Sequence, residues 1–330
     1  MKRTLRRKGA AAAGISIAAA IALVGCAGGG TTPTAAPETP SAPEPLSIAT
    51  LAPGTSTPGI VLGKEAGIFE EHFIDLTETH GPSGSVIVSS LIGGETDTVG
   101  VSWVPIIVAA SQGVPLTTVS TSGSQVGPGL HGIFVRADAG ITDCTGLEGK
   151  TLAVNALGSL GELAYRECME AAGADPQNLN LTELAIPDMI PALEQGNIDA
   201  AWLPGPFYMA GMANANLQLL TDFSDIESID GLPNVGYVGM RPWVEQHRDL
   251  VARFNEALGE AVEYVNADES LVRQMQVDIG GLPEDLAAVI ALEPHTPVLP
   301  REDVQRLIDL MLKWGVIEEA PDLDALYPAS

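Results

Sequence analysis

Ser90-Leu91-Ile92-Gly93-Gly94-Glu95-Thr96-Asp97 returns later in the chain as Ala192-Leu193-Glu194-Gln195-Gly196-Asn197-Ile198-Asp199. Leu91, Gly94 and Asp97 align with Leu193, Gly196 and Asp199. In each copy an apolar helical stretch ends at a glycine, the residue that takes the left-handed conformation after a last helical turn at least cost. A turn and an aspartate follow. Next comes a short apolar run, Thr98-Val99-Gly100-Val101 or Ala200-Ala201-Trp202-Leu203, which reads as a buried strand. Each unit then enters a helix near a proline, Pro105 or Pro204. Two copies of helix, glycine, strand and helix predict two similarly built α/β lobes.

The flanking sequence extends this alternation. Strands are expected at 46–51, 74–79, 98–101, 116–121, 132–136, 151–154, 179–184, 200–203, 218–220 and 235–239. Helices are expected at 59–66, 83–92, 104–112, 160–172, 187–195 and 205–213, so the class is α/β with largely parallel sheets. After about residue 241 the strand pattern stops, and 244–265, 269–279, 283–292 and 301–314 read as helices. Pro300 before Glu302-Asp303, and Gly315 after the last turn, bracket the final one.

A length of 330 residues suits about two domains. With 45% hydrophobic and 18% charged residues the chain is neither wholly disordered nor fibrous. The net charge of −26 repels phosphate backbones, which excludes nucleic acid as a partner, and disfavours docking on anionic lipid through charge.

Residues 1–26 read as a lipoprotein signal peptide. Lys2, Arg3, Arg6, Arg7 and Lys8 precede an apolar run from Ala10 to Val24 that is short for a membrane span. The run ends at Leu23-Val24-Gly25-Cys26, which resembles a bacterial lipobox with Cys26 as the lipidated residue. Residues 27–45 carry five prolines and no apolar periodicity and are expected to form a disordered Pro/Thr/Ala-rich tether. An exported chain permits a disulfide between Cys144 and Cys168. Six strand residues advance about 20 Å and nine helical residues return about 14 Å, so both cysteines fall near one end of their unit. They form a bridge there or remain two buried thiols.

Enzyme signatures are missing from the sequence. Gly127-Pro128-Gly129-Leu130-His131-Gly132 fits G-x-G-x-x-G, but a strand follows it, so no helix N-terminus is available for a pyrophosphate. There is no G-x-S-x-G, P-loop or H-E-x-x-H. His72, His80, His131, His247 and His295 are isolated and make no metal-ligand spacing. Catalytic residues, metal ligands and cofactors are therefore expected to be none.

The informative residues sit where strands end. In open α/β sheets, ligands bind beyond the carboxyl ends of strands, where helix N-termini also point. Those places hold small hydroxyl and glycine residues with aromatics beside them. The ligand-binding candidates are Thr55, Ser83, Gly84, Ser85, Ser102, Trp103, Ser159 and Trp202, with Phe207 and Tyr208 close by. These loops contain no Lys or Arg, which favours a neutral or weakly charged ligand, and the aromatics favour a ring-bearing or weakly anionic one.

Further stretches carry a resemblance: Gly63-Lys64-Glu65-Ala66-Gly67-Ile68-Phe69, Gly94-Glu95-Thr96-Asp97, Leu147-Glu148-Gly149-Lys150-Thr151-Leu152-Ala153-Val154 and Gly196-Asn197-Ile198-Asp199-Ala200-Ala201. In this order, behind a lipobox, they resemble the ABC-transporter substrate-binding proteins of the nitrate/sulfonate/taurine and thiamine-pyrimidine-precursor group. The resemblance implies a two-lobe periplasmic-binding-protein-like fold with two crossover segments and C-terminal helices packed on the first lobe. Lobe 1 would be 46–136 plus 236–330 and lobe 2 would be 137–235, with the crossings near 135–137 and 232–236. The implied protein is a monomer, lipid-anchored on the outer face of the cytoplasmic membrane. It captures a small organic solute and passes it to ABC permease and ATPase subunits. Two alternatives are an enzyme on the same fold and a ligand-reporting subunit of a sensor. The cysteine-rich motif of the pyrimidine-forming relatives is missing, which weighs against the enzyme.

Overall fold

A computed structural model describes residues 42–51 and 57–328. Cys26, the signal peptide, residues 27–41 of the tether and Thr55 lie outside the described residues. The strands are β1 (Glu44–Thr50), β2 (Ile74–His80), β3 (Thr98–Ser102), β4 (Leu116–Ser120), β5 (Gly123–Ser124), β6 (His131–Arg136), β7 (Thr151–Val154), β8 (Asn180–Glu183), β9 (Ala200–Pro204), β10 (Leu217–Asp222), β11 (Val235–Met240) and β12 (His295–Thr296). The helices are α1 (Pro58–Glu65), α2 (Ile68–Glu71), α3 (Gly84–Ile92), α4 (Trp103–Ser111), α5 (Leu160–Ala172), α6 (Ile186–Glu194), α7 (Pro206–Ala213), α8 (Arg241–Gln246), α9 (Arg248–Ala267), α10 (Glu269–Asp278), α11 (Glu284–Ala287), α12 (Arg301–Lys313) and α13 (Leu323–Leu326).

Two five-stranded sheets form, ordered β2-β1-β3-β11-β4 and β8-β7-β9-β6-β10. These are one topology used twice. The quoted repeat explains the match at the level of single bonds. Gly94 and Gly196 adopt φ of 73° and 72° after α3 and α6. Their N–H groups donate to the carbonyls of Leu91 and Leu193, and the next N–H groups reach Ser90 and Ala192, the pattern that closes a helix C-terminus. Asp97 then accepts from the Ser47 N–H at 2.9 Å and Asp199 from the Thr151 N–H at 2.9 Å. Each aspartate thus ties its turn to the parallel strand beside the one it opens, β1 or β7. The second unit enters its helix at Pro206, and Pro204 closes β9.

The sheets are half antiparallel rather than largely parallel. β1 pairs parallel with β2 and β3, and β7 with β8 and β9, but β11 and β6 run antiparallel to both neighbours. The reason is topological. β6 and β11 each follow a crossing from the other lobe, enter at the end where the parallel strands finish, and so run the opposite way. For the same reason the expected boundary at residue 136 is corrected. β6 pairs with β9 and β10, so the first crossing falls within 121–130 and lobe 2 begins at His131. The second crossing runs into β11 at Val235. The crossings run side by side: Val126 N–H donates to Leu232 O and Asn234 N–H to Ser124 O, both at 2.8 Å, and Gln125 bridges to Pro233.

The sheet also starts earlier than expected. Glu44 and Pro45 belong to β1, held by pairing with Ile74 and Asp75 and by a 2.7 Å ion pair from Arg253 to Glu44. The expected helix 244–265 is two helices, broken at His247, whose ring stacks 4.4 Å above Trp243. The expected helix 283–292 stops at Ala287. Arg273 takes the carbonyls of Ala287 and Ile290, and Pro294 disfavours helical geometry at Glu293.

One apolar core, with Leu46, Ile48, Phe69 and Phe254, lies under the first sheet and α9. Another, with Phe134, Met189, Leu193 and Leu203, lies under the second. A third runs through both lobes and takes in Met311 of α12. The C-terminal helices do pack on lobe 1: α9 lies so close to α1 that a Cβ on Gly63 would stand 2.6 Å from the Ala261 side chain. The end of α12 also reaches lobe 2, where Lys313 Nζ and Trp314 Nε1 both donate to Glu167 of α5 at 2.6 Å. Cys144 and Cys168 are joined by a disulfide with Cα atoms 5.8 Å apart. Among the described residues no helix is long and apolar enough to cross a membrane.

Candidate functional site

Helices α3 and α5 begin at opposite walls of a single cleft of about 1510 Å³. Ser83, Gly84, Ser85 and Ser102 line its lobe 1 wall, and Asn155, Ser159, Trp202 and Phe207 its lobe 2 wall. The floor comes from the second crossing and the C-terminal segment, including Asn234, Gln276, Glu293 and His295.

Local chemistry prepares the two helix starts differently. Ser83 is the N-cap of α3, and its hydroxyl accepts from the Val86 N–H at 3.4 Å while lying 3.2 Å from the Ser85 hydroxyl. At α5 the cap residue Ser159 makes no such bond. Instead Glu162, three residues on, reaches back past the cap residue to the Gly158 N–H at 2.8 Å. The Ser159 hydroxyl is thereby left buried with no partner among the described residues.

Trp202 Nε1 and His131 Nδ1 on the same wall are also buried without a partner among the described residues. A buried polar group left unmatched costs about 1–3 kcal/mol. Stacking holds the rings in place: His131 lies 5.9 Å from Trp202 and 5.7 Å from Phe223, centroid to centroid. Burial pushes the His131 imidazole down to about 4 against a smaller opposing effect of Asp222, so it is neutral at pH 7.

Charge in the cleft is mostly negative. Arg166 lines it, but its guanidinium is committed, with Nε and Nη2 at 2.9 and 2.7 Å from Glu162 and Nη1 at 2.8 Å from Pro176 O. Glu183 accepts the Leu157 N–H at 2.9 Å. Desolvation raises the Glu293 carboxyl to about 7 despite hydrogen bonds from Asn234 and Ser124 that lower it. The folded state therefore holds a proton that the unfolded chain has released. This contribution to stability is full below the ordinary glutamate range and is lost as pH rises through about 7. Between pH 5 and 8 the unfolding temperature of the wild type should consequently fall more steeply than that of Glu293→Gln, followed by circular dichroism. Parallel curves would contradict this.

The structure brings six of the eight expected binding residues to the cleft: Ser83, Gly84, Ser85, Ser102, Ser159 and Trp202. Thr55 lies outside the described residues. Trp103 is corrected: it is 1% exposed, sits over Gly236 with its ring 5.9 Å from Tyr327, and does not line the cleft. It opens α4 facing the interior, where Gly236 of β11 leaves room for the indole. Tyr208 likewise packs edge-on against Phe134 in the lobe 2 core. Sequence reasoning missed His131, Asn234 and Glu293. His131 carried one available signal, in that it opens a strand directly after a glycine-rich crossing.

Two α/β lobes of matched topology, linked by paired crossings and facing one cleft, define the periplasmic-binding-protein fold. Residues 55–270 match the NMT1/THI5 like family, and the chain belongs to it. A curated relative from Escherichia coli (strain K12), "Putative aliphatic sulfonates-binding protein", is 25% identical over 249 residues, which cover 73% of this chain and 75% of that protein. Among solved structures, the periplasmic aliphatic sulphonate binding protein SsuA from Escherichia coli aligns with a TM-score of 0.72 at 21% identity, covering 86% of this chain and 92% of that one. The alkanesulfonate-binding protein SsuA from Xanthomonas axonopodis pv. citri, bound to MOPS, aligns at 0.73 with 19% identity, covering 88% and 100%.

Proposed function

We propose that this protein is an extracytoplasmic solute-binding component of an ABC importer. It captures a small organic sulfonate or a similarly small polar organic anion between its lobes. The observation that carries this reading is the facing of two topologically matched sheets across one cleft, with the starts of α3 and α5 on opposite walls. Helix N-termini and hydroxyls stabilise an oxyanion by dipoles and hydrogen bonds. Trp202 and Phe207 supply apolar surface for the organic part. The family and the description of the curated relative support the same class.

Closure would proceed by bending at the paired crossings, and the closed form is what the permease would receive. Lipidation at Cys26 and the proline-rich tether would hold a monomer near the membrane. The reading assigns no reaction to the cleft.

A thermal-shift series with alkanesulfonates tests it. A ligand at 100 times its dissociation constant stabilises by about 2.7 kcal/mol. Ser85 is exposed at the first turn of α3, so Ser85→Trp fills the gap without disturbing a core. The variant is expected to keep its unliganded melting temperature and to bind at least about tenfold more weakly. Unchanged affinity in Ser85→Trp would place the solute elsewhere.

A further inference from the structure

The end of α12 joins lobe 1 to lobe 2 at a place other than the crossings. Helix α12 packs on α4, and α13 beyond it on β4, so this C-terminal segment belongs to lobe 1. Its last residues lie along α5 of lobe 2. Glu167 of α5 is 6% exposed and gathers donors from two other segments. Lys313 Nζ and Trp314 Nε1 both reach its Oε1 at 2.6 Å, and the Ser228 hydroxyl reaches Oε2 at 2.5 Å. Lys313 also pairs with Glu170 of the same helix. Lys313 Nζ and the Arg166 guanidinium lie 4.7 and 5.8 Å from the Trp314 ring centroid. Toward the start of α5, a Cβ on Gly158 would stand 3.1 Å from the Val316 side chain. Removing one partner of a buried ion pair leaves an uncompensated charge, so this contact resists separation. The cleft beside it measures about 1510 Å³, whereas sites that enclose a small ligand run to roughly 300–1,000 Å³. Enclosing a small solute therefore requires the lobes to approach and α5 to shift against α12. Trp314 and Val316 line the cleft, so the contact lies at its edge rather than within the crossings, and bending at the crossings displaces it.

We propose that Lys313, Trp314 and Glu167 form a latch that holds the lobes apart, so that solute affinity is set in part by residues that need not touch the solute. Its effect on affinity rests on the solute-binding reading above, to which it adds a control. Apparent affinity falls in proportion to the fraction of molecules able to close, and the latch lowers that fraction for every solute alike.

Three variants test it. Lys313→Met keeps the stem of the side chain and removes its charge. Trp314→Phe keeps an aromatic ring and removes the donor. Arg301→Met is the control: it removes a positive charge from the other end of α12, where Arg301 pairs with Asp324 inside the C-terminal segment. In isothermal titration with methanesulfonate and hexane-1-sulfonate, Lys313→Met and Trp314→Phe are expected to bind about threefold to tenfold more tightly than wild type, by the same factor for both ligands. Arg301→Met should stay within about twofold of wild type. Nitroxide labels at Val86→Cys and Leu157→Cys, exposed beside the starts of α3 and α5, read the gap with no solute added. Cys26→Ala leaves no other free thiol, since Cys144 and Cys168 are bridged. By double electron–electron resonance a shorter distance population should appear in Lys313→Met and Trp314→Phe and be missing from wild type and Arg301→Met. Unchanged affinity and distances in Lys313→Met would overturn the inference, and so would weaker binding, which would make the bridge part of the closed form. Failure of both sulfonates to bind wild type would overturn the sulfonate reading instead, and the distances alone would then decide the latch.

Discussion

Trp103→Ala is expected to lower the unfolding free energy by about 3 kcal/mol and to leave ligand affinity unchanged below the melting transition. Truncating a buried Trp costs about 3–5 kcal/mol through lost transfer energy and the cavity left behind. Here the side chain is 1% exposed, and an added Cβ on Gly236 would stand 2.4 Å from its ring, so β11 lies flat against the indole. The lower end of the range is expected because Nε1 is buried without a partner among the described residues, and its removal offsets part of the loss. Against a typical total of about 5–15 kcal/mol this is a large fraction. Urea denaturation measures it. A stable variant with weakened binding would return Trp103 to the site.

Removing the disulfide should have a comparable effect. Cys144 and Cys168 are 24 residues apart, and closing a loop of that size removes about 3.5 kcal/mol of unfolded-chain entropy. Cys144→Ala/Cys168→Ala, or wild type under reductant, should therefore denature at markedly lower urea. Affinity should hold, because Cys168 lies toward the end of α5 away from Ser159, the residue that meets the cleft. A denaturation midpoint indifferent to reductant would show that the bridge contributes nothing to stability.

Much of the fold was legible in the chain because its signals are local. Leu91-x-x-Gly94-x-x-Asp97 and its counterpart encode a helix end, a turn and a strand start within eight residues, and the strands that follow are short apolar runs. The errors fall where distant partners decide. β6 looks like any other strand, and only its pairing with β9 and β10 assigns it to lobe 2. The stretch after Ala287 has helical composition, but Arg273 removes the carbonyls a helix would use.

The site divides in the same way. Ser83, Ser85 and Ser159 were readable because the start of a helix after a strand is a place that sequence can locate. Trp103 and Trp202 were not separable, since both lie beside a strand end and only the packed neighbours show which one meets the cleft.

The sequence alone, through periodicity and turn chemistry, determined that this chain builds the same α/β unit twice and sets hydroxyls where those units end. Which charges share the cleft was decided only in three dimensions. Glu293, Asn234 and Ser124 come from three separate segments, and Arg166 is neutralised by a partner one helical turn away. The electrostatics of a buried group is a sum over everything within a few ångströms, and chain order does not contain that sum.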